Sequence, residues 1–318
     1  MAEHPLLAAL LRGERRALAR AITLVESTRE TDLVQADQLL TQALPHSGGA
    51  LRLGISGVPG VGKSTFIEAF GLAAIAHGRR VAVLAIDPSS GVSGGSILGD
   101  KTRMERLAMH EAAFIRPSPS SGVLGGVAGR TREAMLLCEA AGYDLLLVET
   151  VGVGQSETAV AAMTDLFLLL QLPNAGDDLQ AIKRGVMEIA DLVAVNKADL
   201  DPAAARRAAL QLGAGLGHRG PAHEVSALTG EGLEALWSAI EARAQAQRGS
   251  GERDRLRCEQ NVAWMGEAVR EGLSVRFDGD ARVRAQWPDV MRRVESGQLP
   301  PPAAARLLLA EFFEDEAR

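Results

Sequence analysis

The nine residues GVPGVGKST, Gly57 to Thr65, decide the fold. They match the pattern Gly-x-x-x-x-Gly-Lys-Ser/Thr, and the pattern stands in the context it needs. The apolar run LRLGIS, residues 51–56, reads as a strand before it, and residues 63–77 read as a helix after it. Glycines let the backbone curl so that successive N–H groups face an anion. The helix N-terminus adds partial positive charge. Gly57, Gly60, Val61, Gly62, Lys63, Ser64 and Thr65 are therefore the expected phosphate-binding set. Lys63 reaches the β- and γ-phosphates in such loops, Ser64 ligates magnesium, and Thr65 lies near the α-phosphate.

Outward from this loop the chain alternates strand-like and helix-like segments. RVAVLAI (80–86), AAFIRP (112–117), YDLLLVET (143–150), DLFLLLQL (165–172), DLVAVNK (191–197) and AHEVSA (222–227) read as strands. Helices are expected over 101–109, over TREAMLLCEAAG, and over 201–212 and 231–247. Nearly unbroken Val, Ile and Leu in the interior strands implies a mostly parallel sheet covered on both faces. The fold class is thus α/β, a P-loop NTPase. Residues 1–48 form a helical extension before it, with apolar stripes at Leu18, Ala21, Ile22 and Val25 and at Leu33, Ala36, Leu39 and Leu40. LPHSGGA (44–50) is a break, and polar QAQRGSGERDR (245–255) marks a second boundary near 249. The domains are then 1–48, 49–248 and 249–318. The last contains an amphipathic stretch from Cys258 to Val269, a middle section with Trp287, and a final helix at 303–314 offering Leu307, Leu308, Phe312 and Phe313 as its apolar face.

A second motif names the base. NKAD, residues 196–199, ends a late strand. Asp199 can accept from guanine N1–H and the exocyclic amine together. A base that leaves this carboxylate unmatched is penalised by desolvation. The Lys197 stem can cover the base plane, and Asn196 can tie this loop to its neighbours. VSALTGEG (225–232) supplies a further loop, with Ser226 and Ala227 near guanine O6. Where ordinary GTPases carry Asp-x-x-Gly, this chain has Glu149, Thr150, Val151 and Gly152. The Glu149 carboxylate is expected to hold a water on magnesium, and the Gly152 N–H to sense the γ-phosphate. Asp87, Asp100 and Glu149 are the acidic candidates around the metal, some acting through water, because magnesium takes oxygen ligands and keeps several waters. With Lys63 they form the expected catalytic set. No glutamine follows Gly152 directly. Gln155 comes later and is the candidate for orienting the hydrolytic water.

Composition limits the alternatives. The 318 residues carry 34 Lys plus Arg against 40 Asp plus Glu, a formal charge of −6, so a general nucleic-acid binder is not indicated. The apolar share of 47% supports a sizeable core. Apolar runs such as Leu166 to Leu172 are strand-sized, so no membrane span is expected. The N-terminal apolar run is broken by Arg12, Glu14, Arg15 and Arg16 and does not resemble a secretory signal. A cytoplasmic protein with two reduced thiols, Cys138 and Cys258, is the expectation.

The set GVPGVGKST, AIDPSS, LGDKTRM, ETVGVGQSE, LPNAGDDLQAIKRGVMEIAD and NKAD resembles the GTPases associated with methylmalonyl-CoA mutase and related adenosylcobalamin-dependent acyl-CoA mutases. The resemblance runs nearly the length of the chain. It implies a homodimer in which residues 249–318 are a dimerisation arm, bound Mg2+ and GTP or GDP, and an acyl-CoA mutase as partner, with an adenosyltransferase as a further candidate. It implies a G-protein chaperone that gates adenosylcobalamin delivery and removal of inactivated cofactor, the cobalamin being held by the partner. The 172–185 loop resembles a third switch that relays nucleotide state. Gly176 permits its rearrangement, Asp177 and Asp178 bring charge, Lys183 and Arg184 oppose it, and Gln180 lies between them. Two other functions compete. A nickel or cobalt metallochaperone would need metal ligands, yet His4, His46, His77, His110, His218 and His223 are scattered and no Cys-x-x-Cys occurs. A P-loop kinase, the sense of an older transport-kinase label for this family, lacks a legible acceptor pocket.

Overall fold

The structure is a computed structural model that describes residues 3–86, 104–117, 124–150, 156–173, 184–216 and 220–313. Two compact units divide the chain, Met1–Gln260 and Asn261–Arg318.

The first unit is built on seven strands: β1 (Leu51–Gly57), β2 (Val81–Ile86), β3 (Ala113–Pro117), β4 (Leu145–Thr150), β5 (Leu166–Gln171), β6 (Leu192–Val195) and β7 (His223–Glu224). Their order is β3-β2-β4-β1-β5-β6-β7, and every pairing is parallel. The expected mostly parallel sheet is therefore wholly parallel among the described residues. The reason is visible in burial: all residues of β4, β5 and β6 are buried, as strands covered on both faces must be.

The helices of this unit are α1 (Leu7–Leu11), α2 (Arg15–Val25), α3 (Glu30–Ala43), α4 (Lys63–Ala76), α5 (Glu105–Met109), α6 (Leu124–Ala140), α7 (Ser156–Ala161), α8 (Arg184–Ile189), α9 (Pro202–Leu216) and α10 (Leu233–Gly249). Strand alternation sorts the core into two layers. Leu53 and Ile55 of β1 and Leu168 and Leu170 of β5 pack with Phe66 and Phe70 of α4 and Trp237 and Ile240 of α10. Phe167 and Leu169 of β5 face the opposite layer, with Leu18 and Ile22 of α2, Met135 of α6 and Leu212 of α9. Gly54 is placed on that second face for lack of room. A Cβ there would meet Val160 Cγ1 at 2.7 Å and Phe167 at 2.8 Å.

The stripe at Leu18, Ala21, Ile22 and Val25 is buried, as its spacing requires. On α3, Ala36 and Leu39 are buried but Leu33 is exposed, so the second stripe is narrower than the sequence suggested. Strand β7 is two residues rather than six, because the chain leaves the sheet at Val225 to build a loop over its edge.

Helix α11 (Glu252–Gly279) follows a short turn after α10. The polar segment near 249 lies at this turn, whereas the division into compact units falls after Gln260. Arg257 explains the difference. Its guanidinium donates to both carboxylate oxygens of buried Asp165 at 2.7 Å and to the carbonyls of Gly48 and Ala50 at 2.7 and 2.6 Å. Gln260 donates to the Thr164 carbonyl at 2.9 Å. The second unit holds α12 (Ala281–Glu295) and α13 (Pro301–Phe313), whose Val283, Val290, Ala304 and Leu308 form its core. Leu307 and Phe312 pack against that core, but Phe313 is exposed and leaves the expected apolar face of α13. Among the described residues no helix is long and apolar enough to cross a membrane.

Candidate functional site

Strand β1 stands between β4 and β5, where the chain, having built the sheet outward on one side, crosses to the other. In open parallel sheets the crevice beyond the carboxyl ends of the strands at such a reversal is where ligands bind. The glycine-rich loop leaves β1 at this point. Gly57 lies so close to β5 that a Cβ would sit 2.6 Å from the Leu170 carbonyl oxygen. Gly62 caps α4 in the left-handed region, φ 91°, and has no side chain to satisfy the first-turn N–H groups, which stay available to an anion.

Lys63 Nζ donates to the carbonyls of Gly57 at 2.8 Å and Val58 at 3.4 Å, folding the side chain back over the loop. Burial holds its pKa below the ordinary 10.5, and Glu149 and Glu157 partly offset this. Ser64 Oγ donates to Glu149 Oε1 at 3.4 Å, which joins the start of α4 to the end of β4. These two groups are both hard oxygen donors, set close enough to serve one magnesium ion directly or through water, so the residues fit that metal.

The base side is held by Asn196, which is 1% exposed. Its Nδ2 donates to the Val61 carbonyl at 2.8 Å, and its Oδ1 accepts from the Ala227 N–H at 3.0 Å. One side chain thereby binds three loops together. Lys197 donates from Nζ to the Gly60 carbonyl at 2.8 Å and has φ 61°, the sole left-handed non-glycine residue among those described. Such strain persists only where surrounding contacts enforce it. Asp199 lines a cavity of about 270 Å3 together with Gly62, Thr65, Asn196, Leu200 and Leu228. Ser226 is fully buried, and its Oγ accepts from the Thr229 N–H at 3.1 Å.

A family model, methylmalonyl-CoA mutase-associated GTPase MeaB, matches residues 18–281. The chain belongs to this family. The GTPase is 53% identical to a putative GTPase of Caulobacter vibrioides over 98% of its own length and 96% of that protein. It is 46% identical to GTPase ArgK of Escherichia coli, covering 96% of this chain and 95% of that one. A mouse protein, the mitochondrial methylmalonic aciduria type A homolog, is 46% identical over 95% of this chain and 78% of its own. Among solved structures, a crystal structure described as a LAO/AO transport system kinase superposes with TM-score 0.75 at 38% identity, covering 99% of both chains.

The structure brings Gly57, Gly60, Val61, Gly62, Lys63, Ser64, Thr65, Glu149, Asn196, Lys197, Asp199, Ser226 and Ala227 to one edge of the sheet. Asp87, Asp100, Gly152, Gln155, Asp177, Asp178, Gln180 and Lys183 lie outside the described residues. Three neighbours escaped the sequence reading. Leu200 and Leu228 are 74% and 80% exposed yet wall the base cavity. Leu200 directly follows NKAD and Leu228 lies within VSALTGEG, and an apolar residue next to the polar base-side residues was the available signal. Buried Glu157 acts on Lys63 from α7; it closes the stretch ETVGVGQSE, within which it was given no role.

Proposed function

We propose that this GTPase is a G-protein chaperone for an adenosylcobalamin-dependent acyl-CoA mutase, methylmalonyl-CoA mutase first among them. It gates loading of the cofactor and removal of the inactivated form, in the cytoplasm, with the cobalamin held by the mutase. One observation carries the reading. The phosphate loop, the Ser64–Glu149 contact and the base cavity meet beside β1, and the chain segments after β4 and β5 depart from the strands flanking it. The described ends of β4 and β5, Thr150 and Gln171, therefore lie on either side of the phosphate loop.

In this reading the Lys63 ammonium exchanges its carbonyl partners for β- and γ-phosphate oxygens. The N–H groups at the start of α4 hold the same phosphates, and Thr65 lies near the α-phosphate. Ser64, Glu149, Asp87 and Asp100 hold Mg2+, which when bound neutralises phosphate charge. Asp199 accepts from the guanine edge while Leu200, Leu228 and the Lys197 stem enclose its faces. Gly152 and Gln155 respond to the γ-phosphate, and Asp177, Asp178, Gln180 and Lys183 carry its loss to the mutase.

A homodimer through residues 249–318 is part of the proposal. Val262, Met265, Val269 and Leu273 follow one another along α11 at near-heptad spacing and are all more than half exposed, which suits a second copy of the chain. An adenosyltransferase is a further partner.

The test is GTPase rate and complex formation against a panel of purified mutases, each with and without cofactor. Stimulation or binding by a cobalamin mutase supports the proposal, and none from any client refutes it. Lys183→Ala is expected to spare GTP affinity and reduce stimulation; unchanged stimulation removes the third-switch role.

A further inference from the structure

Two hydroxyls interrupt the apolar interior of the sheet beside the nucleotide site. Ser56 of β1 and Thr150 of β4 are 1% and 0% exposed. Thr150 Oγ1 donates to Ser56 Oγ at 2.8 Å, an ordinary length for a bond between hydroxyls. Alanine and valine would fill these two positions without polar atoms, as Ile55 and Val148 do nearby.

The place of the pair is specific. The paired register of β1 with β4 ends at Ile55 and Glu149. Beyond it β1 stays with β5 as far as Gly57, and β4 stays with β2 as far as Thr150. The sheet therefore parts between β1 and β4 at its carboxyl edge, immediately before the phosphate loop. Ser56 and Thr150 are the first residues past the last pair, and their bond ties the two strand ends across the parting.

Strand alternation puts this bond on the face away from the site's chemistry. Ile55 and Leu147 belong to the layer of α4, so Glu149 faces α4, where Ser64 meets it. Val148 belongs to the other layer, and the face of Gly54 meets Val160 and Phe167 there. Ser56 and Thr150 share that second face. They are turned away from Ser64 and Glu149, but they set the distance between the strand that leads into the phosphate loop and the strand that carries Glu149. The Ser64–Glu149 contact, at 3.4 Å, is long for a hydroxyl on a carboxylate and does not by itself set that distance. Magnesium holds its ligands to a near-octahedral arrangement, so displacing one strand end weakens its binding.

We propose that Ser56 and Thr150 are positioning residues for the magnesium site. Their hydroxyl bond holds the ends of β1 and β4 at the separation at which Ser64 and Glu149 serve one ion. The inference rests on the magnesium role given to Glu149 above.

The full chain, loaded with a fluorescent GDP analogue, is titrated with Mg2+, and GTPase rates are measured over the same range. Thr150→Val keeps the side-chain shape and removes the bond. It should raise half-saturating Mg2+ about fivefold, the scale of one neutral hydrogen bond, with KM for GTP at saturating Mg2+ unchanged. Thr150→Ser should restore the original value. Thr150→Val also strands the Ser56 hydroxyl, so Tm should fall. Ser56→Ala combined with Thr150→Val removes both partners and should recover most of the Tm, while half-saturating Mg2+ stays raised. A pair that served stability alone would not show this division. Should the single variant fold poorly, the double variant decides. Glu149→Gln tests the underlying reading: half-saturation unmoved by it removes the magnesium role of Glu149 and this inference together. If Glu149→Gln raises half-saturation but the folded Thr150→Val variant does not, the positioning role alone is overturned. The same holds if Mg2+ binding returns to its original strength in the double variant along with Tm.

Discussion

Replacing Asn196 with alanine should loosen two loops at once. The side chain is 1% exposed, donates to the Val61 carbonyl at 2.8 Å and accepts from the Ala227 N–H at 3.0 Å. Alanine leaves one buried carbonyl and one buried N–H without a partner, at about 1–3 kcal/mol each. The packing around it is close: a Cβ on Gly62 would stand 3.1 Å from the asparagine amide nitrogen, so the hole opens directly beneath the phosphate loop. A total of about 2–5 kcal/mol allows for some relaxation. At about 2–4 °C of Tm per kcal/mol, a fall of about 4–20 °C is expected. Nucleotide orders the same loops, and part of the loss should appear as a rise of about 10- to 100-fold in the Kd for GDP. Scanning fluorimetry without nucleotide and titration of a fluorescent GDP analogue measure the two effects. A Tm unchanged to within about 1 °C together with an affinity unchanged to within about twofold would refute the reasoning.

Asp199→Asn exchanges a carboxylate in the wall of the base cavity for an amide. GTP affinity should fall about 100-fold and xanthosine triphosphate should bind better, as read by competition titration; retained GTP preference would count against the base assignment. Lys63 has its pKa lowered by burial from 10.5, so the free enzyme loses this proton at a lower pH than an ordinary lysine. GTP needs the ammonium, so affinity should decline with rising pH before 10.5 is reached. In the absence of nucleotide the unfolded chain binds the extra proton there, and the Lys63 contribution to stability therefore rises over the same interval. Parallel binding and unfolding titrations check both signs. Arg257→Met strands the Asp165 carboxylate, whose side chain is 1% exposed, and the Gly48 and Ala50 carbonyls. Urea unfolding should show a loss of about 3–5 kcal/mol, with GTP affinity unaffected; a loss confined to surface-pair magnitudes would show that Arg257 is not a clamp.

Much of the fold was legible because apolar runs bounded by turn residues repeat along the chain. Strands β2 to β6 lie within the segments read as strands, and β1 runs one residue past its own, to Gly57. Boundaries were less legible, as β7 shows: AHEVSA has strand composition, but Ala227 N–H is taken by Asn196 and Ser226 N–H by the Glu231 carbonyl, so those residues leave the ladder. Leu33 and Phe313 carry helical spacing without burial, since periodicity reports which residues share a face and not how far a neighbour extends over it.

Local chemistry alone established a phosphate-binding turn, a guanine-type motif and a parallel sheet, because each depends on residues adjacent in the chain. Tertiary structure decided what lies across from what. Asn196 reaches Val61 and Ala227, Glu149 reaches Ser64, Leu200 and Leu228 close on one cavity, and Arg257 grips Asp165. Those pairs are far apart in sequence, and their meeting follows from strand order. With β1 between β4 and β5 and β6 next to β5, the ends of distant segments converge at one edge, a placement no spacing along the chain encodes.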